Sequence, residues 1–219
     1  MMPLTIAPNF KTNFPAVTVG FVAANVRNTE HNDALWHEIE TATRRFRGLT
    51  MEQVRHFPRI KILRDAYRYL GNDPTRYRGA CEALIRRIVQ GKELYQVNTV
   101  VDVCNLISLE TLCATGVFDF NAIIPPITFR LGQSGERYSG IGRGEIKLER
   151  LPVFADASGP FGCTTNDSER TMVRLETAKI LLVIISFMGS EGLNARVQQA
   201  VGLLEQYAGA TEAETDFIK

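Results

Sequence analysis

The feature that most constrains this chain is a change of texture at Pro125-Pro126. Upstream, apolar residues recur at helical spacing. Ile60, Leu63, Tyr67 and Leu70 follow Pro58 and are closed by Gly71 and Asn72, which predicts an amphipathic helix. A helix is predicted from Asn32 to Phe46, and Thr50 to Gln53 (TMEQ) has the form of a capping box for a short one. Asp73-Pro74 is a second start signal, and the stripe Tyr77, Cys81, Leu84, Ile88 predicts a helix running to Gly91. Downstream, residues 127–162 carry seven glycines with short alternating runs between them, which is hairpin material. The fold class expected is α+β, a helical first half packed on a mixed, largely antiparallel β second half.

Two valine- and isoleucine-rich runs, 16–26 and 178–187, read as buried strands, the first expected to start the sheet. Segment 98–113 is ambiguous. Val100, Val101 and Val103 favour a strand, while the spacing of Val101, Asn105, Leu109 and Leu112 favours a helix. Leu193, Val197, Ala200, Leu204 and Tyr207 predict a final helix, and the acidic tail 209–219 is expected to fray. No repeat or linker divides the chain, so residues 1–219 are read as one domain. The longest uncharged apolar stretch, Ile180 to Met188, is about half a bilayer span. The start, Met1-Met2-Pro3-Leu4, lacks a secretory pattern, so a soluble, cytoplasmic protein with no membrane partner is expected.

Cys81, Cys104, Cys113 and Cys163 form no CxxC and read as small buried hydrophobes, and His31, His37 and His56 show no metal-ligand spacing. No metal is expected. The net charge of +1 hides an asymmetry: between Arg44 and Lys92 stand thirteen Lys/Arg against four acids, an excess of nine. A polyanionic partner is one reading. The other is a set of solvated helix faces, with Arg78, Glu82 and Arg86 pairing at i, i+4, i+8.

The run Val97-Asn98-Thr99-Val100-Val101-Asp102-Val103-Cys104-Asn105 resembles the B3/B4 tRNA-editing domain of the phenylalanyl-tRNA synthetase β subunit. The likeness continues through Leu109-Glu110, Phe118-Asp119, Gly135-Glu136, Leu151, Ala155-Asp156 and Gly159-Pro160-Phe161-Gly162, covering about residues 60–190. The chain is too short for a synthetase. The polar element 163–171, with its DSERT sequence, and the block 71–78 followed by Arg86-Arg87 resemble free-standing members of that group.

The resemblance implies a helical segment 98–113 and an editing pocket lined by a glycine-rich loop and the helix Asn. On that mapping Gly159, Gly162 and Asn105 are catalytic positions. Glycines let an ester carbonyl approach backbone N–H groups. Asp102, Phe161, Thr164, Thr165, Asp167, Ser168 and Glu169 are expected to bind substrate. Asp167 and Glu169 would select a cationic or hydrogen-bonding side chain; the competing reading makes DSERT a solvated turn with an exposed ion pair. Asp102 and Asn105 share a helix face, either to hold the glycine loop or to meet an α-amino group. Arg76, Arg78, Arg86 and Arg87 are expected to contact tRNA phosphates.

Two departures from the resemblance stand out. Gly116 occupies the position of a family histidine, and Val183 that of a glutamate which grips the tyrosine hydroxyl. A tyrosine substrate is therefore not expected. The reading is a deacylase acting in trans on the aminoacylated 3′ end of a mischarged tRNA, with no cofactor and no DNA partner. A polar or cationic non-protein amino acid, such as canavanine on arginine tRNA, is the candidate cargo. The alternatives are a non-catalytic tRNA- or amino-acid-binding module and, less favoured by the basic first half, a hydrolase of small esters or amides.

Overall fold

The computed structural model describes residues 3–219; Met1 and Met2, at the start of the segment read as lacking a secretory signal, lie outside them. The chain runs through β1 (Leu4–Ile6), α1 (Pro8–Asn13), β2 (Thr18–Asn25), α2 (Asp33–Thr43), α3 (Met51–Arg55), α4 (Pro58–Tyr69), α5 (Ala80–Val89) and α6 (Thr99–Thr111). It continues with β3 (Ala114–Asp119), β4 (Ile127–Leu131), β5 (Arg137–Gly140), β6 (Gly144–Lys147), β7 (Pro152–Asp156), β8 (Gly159–Cys163), β9 (Lys179–Ser186), α7 (Leu193–Ala208) and β10 (Thr211–Ile218). Among the described residues no helix is long and apolar enough to cross a membrane.

The strands form two four-stranded sheets, ordered β1-β4-β7-β8 and β10-β2-β9-β3, and a separate β5-β6 hairpin. Only β1 pairs in parallel, with β4; the other strand pairs are antiparallel. The α+β expectation therefore holds, with β1 and β2 contributed by the first half and α7 by the second.

The apolar runs become the two central strands of the second sheet because both of their faces are covered. Val19, Phe21, Leu181, Val183 and Ile185 point into the core shared with the first sheet. Val22, Ala24, Ile180, Leu182 and Ile184 point into a core built with α2, α6 and α7. A third cluster gathers Phe46, Val54, Ile60, Cys81, Ile85, Ile88 and Leu109 between the short helices and α6. All four cysteines are free and buried.

Local signals explain most boundaries. Asn32 caps α2 by accepting from the Leu35 amide at 3.1 Å. The predicted capping box is present: Thr50 Oγ1 accepts from Gln53 N, and Gln53 Oε1 accepts from Thr50 N. Asn98 caps α6 through the Val101 amide, so the ambiguous segment is a helix.

Three expectations need correction. β2 starts the second sheet in sequence, but β1 and α1 precede it and were not anticipated. The Asp73-Pro74 signal does not open α5, which begins at Ala80. Asp73 instead folds an Asx turn, its carboxylate accepting from both Thr75 N (2.8 Å) and Thr75 Oγ1 (2.6 Å), which competes with helical bonding. The helix waits for Gly79, where an added Cβ would lie 2.5 Å from Leu63 Cδ2. The tail does not fray: β10 pairs antiparallel with β2 from Thr211↔Asn25 to Ile218↔Val19.

A carboxylate between two glycines

The two sheets end side by side on their outer strands, β3 and β8, and the 164–171 connection lies against both. Its conformation is held from several directions. Ser168 N donates to Phe161 O, Ser168 Oγ accepts from Arg170 N, and Arg170 makes a two-pronged ion pair with Asp156. The β5-β6 hairpin closes over it. Tyr138 Oη donates to Asn166 O at 2.6 Å, Asn166 Nδ2 donates to Ile141 O, and Ile141 N donates to Asp167 O.

This clasp turns Asp167 inward. Its Oδ1 accepts from the Cys163 amide at 3.3 Å. A Cβ at Gly162 would sit 3.1 Å from Oδ1, and a Cβ at Gly116 would sit 3.4 Å from Oδ2. The carboxylate therefore occupies a slot that exists because both flanking strands carry glycine there, with the Phe118 ring as its other wall. No Lys or Arg pairs with Asp167 among the described residues. Burial pushes its pKa from the usual 3.8 up to about 7, opposed only by the Cys163 hydrogen bond. Asp167 itself is half-buried; shielding a carboxylate without a cationic partner is costly, and such groups cluster at functional sites.

The surrounding thiols are inert. Burial raises Cys104 to about 12, with the neighbouring Asp167 charge adding to it, and burial raises Cys163 as well. Neither is a thiolate near neutrality.

The other expected site residues scatter. Gly159-Pro160-Phe161-Gly162 is not a loop but the body of β8, so Gly159 and Gly162 are about 10 Å apart along the strand. Gly159 lies at the hairpin end, at φ +111, its carbonyl accepting from Arg170. The Phe161 side chain is in the core, edge-on to Phe118 at 4.9 Å, and is not available to a ligand. Thr164 is buried and bonded to Tyr67 Oη at 2.6 Å; Thr165 bonds the Cys163 thiol; Ser168 is a buried cap. Glu169 points to solvent. Asn105 is half-buried on α6, one residue from Cys104.

Asp102 does not hold the glycine strand. It is fully buried with Oδ2 accepting from Trp36 Nε1 at 2.8 Å and Oδ1 from Val97 N at 3.2 Å. Val183 is buried opposite Gly116 in the β3-β9 register, so both departures from the resembling family fall on one cross-strand pair.

The four arginines also separate. Arg87 is engaged within the fold, donating to Glu93 O and Tyr95 Oη with its guanidinium 3.8 Å over the Tyr95 ring. Arg76 is exposed beside Tyr77. Arg78 is half-buried, and its pKa is lowered by burial and then by the charge of Arg86. Arg64 and Glu82 form a buried ion pair at 2.6 Å beneath this surface.

Fold and slot together define an α+β domain with one unpaired carboxylate between two sheet edges. The B3/4 domain family matches residues 62–205, about two thirds of the sequence, and the chain belongs to that family. Among solved structures it is similar to an N-terminal fragment of the phenylalanyl-tRNA synthetase β-subunit from Pyrococcus horikoshii. The identity is 14% and the TM-score 0.49, with 99% of this chain and 50% of that chain covered. The present chain thus spans half the length of that fragment. No curated protein matches the sequence.

Proposed function

We propose that the protein is an aminoacyl-tRNA deacylase acting in trans, in the cytoplasm, and that the Asp167 slot reads a positively charged group of the amino acid. The observation that carries this is the half-buried carboxylate with a free oxygen and no protein cation beside it. A cationic ligand supplies the missing charge, lowers the pKa of Asp167 and recovers its desolvation cost. A side chain of the arginine type, that of canavanine on arginine tRNA among them, is the class of cation that a carboxylate holds with two parallel hydrogen bonds.

Hydrolysis needs no protein nucleophile in this reading. Water adds to the ester carbonyl carbon, the bond to the ribose oxygen breaks, and the proton lost by water ends on that ribose hydroxyl. Positioning supplies most of the acceleration for so reactive an ester. Gly162 leaves room on its strand for the Asp167 carboxylate, and Asn105 lies on α6. Arg78 and Arg86, and Arg76 outside them, offer phosphate contacts to the tRNA.

The test is a panel of mischarged tRNAs incubated with catalytic amounts of protein. Arginine-like cargo on its tRNA should be cleared, and tyrosine on phenylalanine tRNA should persist. Clearance of tyrosine in preference to cationic cargo would overturn the assignment of Asp167. Binding of tRNA without turnover of any member would make the protein a binding module instead.

A further inference from the structure

A cavity of about 670 Å³, with no Asp167 in its lining, lies between α2 and the segment that joins α5 to α6. Its volume is within the roughly 300–1,000 Å³ typical of small-molecule sites. The cleft is built rather than incidental. On one side stand Trp36, Ile39 and Glu40, which share a face of α2. The Trp36 indole is fixed in place by its bond to buried Asp102. The opposite wall, residues 91–96, has no regular secondary structure and is held in place by the Arg87 contacts to Glu93 O and the Tyr95 ring.

Ile88 and Leu94 add apolar surface to a lining that is otherwise largely polar. Four charged residues line the cleft, the acids Glu40 and Glu93 and the bases Arg47 and Lys92. All four side chains are exposed, and none has a hydrogen-bond or ion-pair partner among the described residues. A wholly anionic ligand would meet two carboxylates, and a wholly cationic one would meet Arg47 and Lys92. A ligand with an amine-bearing aromatic plane and a separate phosphate satisfies both pairs. The plane stacks on indole, the carboxylates accept from the exocyclic amine or sugar hydroxyls, and the cations take the phosphate.

We infer that the cleft beneath residues 91–96 binds an amino-purine nucleotide, either free or as the end residue of an RNA strand. The inference is independent of the deacylase reading, since it uses none of the residues of the Asp167 slot.

Trp36 is the single tryptophan of the chain, so its emission reports directly on the cleft. The full-length protein would be titrated with adenosine 5′-monophosphate, uridine 5′-monophosphate, adenosine, inorganic phosphate and a CCA trinucleotide. Calorimetry on the same samples gives an independent readout. The adenine nucleotide should bind and change the emission, at least tenfold more tightly than the uridine nucleotide or phosphate. Arg47→Ala with Lys92→Ala should weaken the nucleotide about tenfold and leave adenosine unchanged. These side chains are exposed and make no internal bond, so circular dichroism should be unaltered.

A trinucleotide that outcompetes the mononucleotide identifies an RNA end as the source, and the reverse order identifies a free nucleotide. Equal affinity for the adenine and uridine nucleotides, or unchanged affinity in the doubly substituted protein, overturns the inference. So does absence of binding by all nucleotides in both measurements.

Discussion

Asp102 and Asp167, the one fully buried and the other half-buried, illustrate opposite uses of a shielded carboxylate. Asp102 on α6 has both oxygens occupied by protein donors, the Trp36 indole and the Val97 amide. Asp167 has one oxygen on the Cys163 amide and the other facing a gap where Gly116 offers no side chain. Burial raises the pKa of each, against hydrogen bonds that lower it. The difference is in what completes the shell: protein donors at Asp102, and at Asp167 a group that the fold itself does not supply. A complete shell implies a structural role, and an incomplete one implies a ligand.

The comparison is broken most directly at Asp102. Asp102→Ala removes two hydrogen bonds to a buried acid and orphans the indole N–H, so chemical unfolding should show a loss of about 3 kcal/mol. A loss indistinguishable from a surface substitution would remove the contrast. Next in size is Asp167→Asn, which should fold normally yet lower kcat/KM for an arginine-like cargo about 100-fold, or about 2.7 kcal/mol. A neutral cargo should be much less affected. Equal losses on both would mean that Asp167 does not read charge.

The two glycines sharpen the picture further. Gly162→Ala places a methyl 2.4 Å from Phe118 Cε1, so the ring must move, and a stability cost of about 1–3 kcal/mol is expected. Gly116→Ala meets the tip of the same ring at 2.9 Å but stands 3.4 Å from Asp167 Oδ2, inside the slot. It should cost about tenfold in kcat/KM with a smaller drop in melting temperature than Gly162→Ala. The reverse ranking would place the ligand elsewhere.

The smallest expected effect is on pH dependence. With Asp167 raised to about 7, the folded chain holds a proton that the unfolded chain, near 3.8, has already released. The associated stability is complete below about pH 4 and is lost as pH rises through about 7. Asp167→Asn should therefore match the parent protein in acid and exceed it in melting temperature at pH 8. Activity runs the other way, because the ionised carboxylate is the binding form; kcat/KM should climb through pH 7 and level off. The titratable groups facing Asp167, Cys104 on α6, Tyr138 on β5 and Cys163 on β8, are all shifted upward, which leaves that limb to Asp167. A profile unchanged by Asp167→Asn would contradict this.

Much of the helical half was legible because its signals are local. Thr50 and Gln53 form the box that their spacing implied, and Pro58 opens α4 where its stripe begins. Asp73 misled because a side-chain bond to Thr75 satisfies the same acid that would have capped a helix. In β10, Glu212, Glu214 and Asp216 read as a solvated tail, yet they alternate with Ala213, Thr215 and Phe217 along a strand. Charge there belongs to an edge and does not imply disorder.

The slot was only half visible. Asp167 stood out by its polar neighbours, but nothing local tells that it turns inward while Glu169, two residues on, turns out. Gly116 was noted as a vacancy in a motif, and its place beside residue 167 is a tertiary fact. Asp102 and Phe161 were misread for the same reason: both sit in matching motifs, and packing alone decides which way they face.

The last strand carries a consequence for the behaviour of the chain among its own copies. β10 lies along β2, whose sequence TVGFVAAN is almost wholly apolar, and it shows solvent a row of acids. Were it detached, β2 would present unpaired amides and carbonyls flanked by valine and phenylalanine, a template on which another molecule can add a strand. The negatively charged outer strand thus acts as a gatekeeper against self-association, so that changes in Thr211–Ile218 bear on solubility although none of these residues belongs to a proposed ligand site.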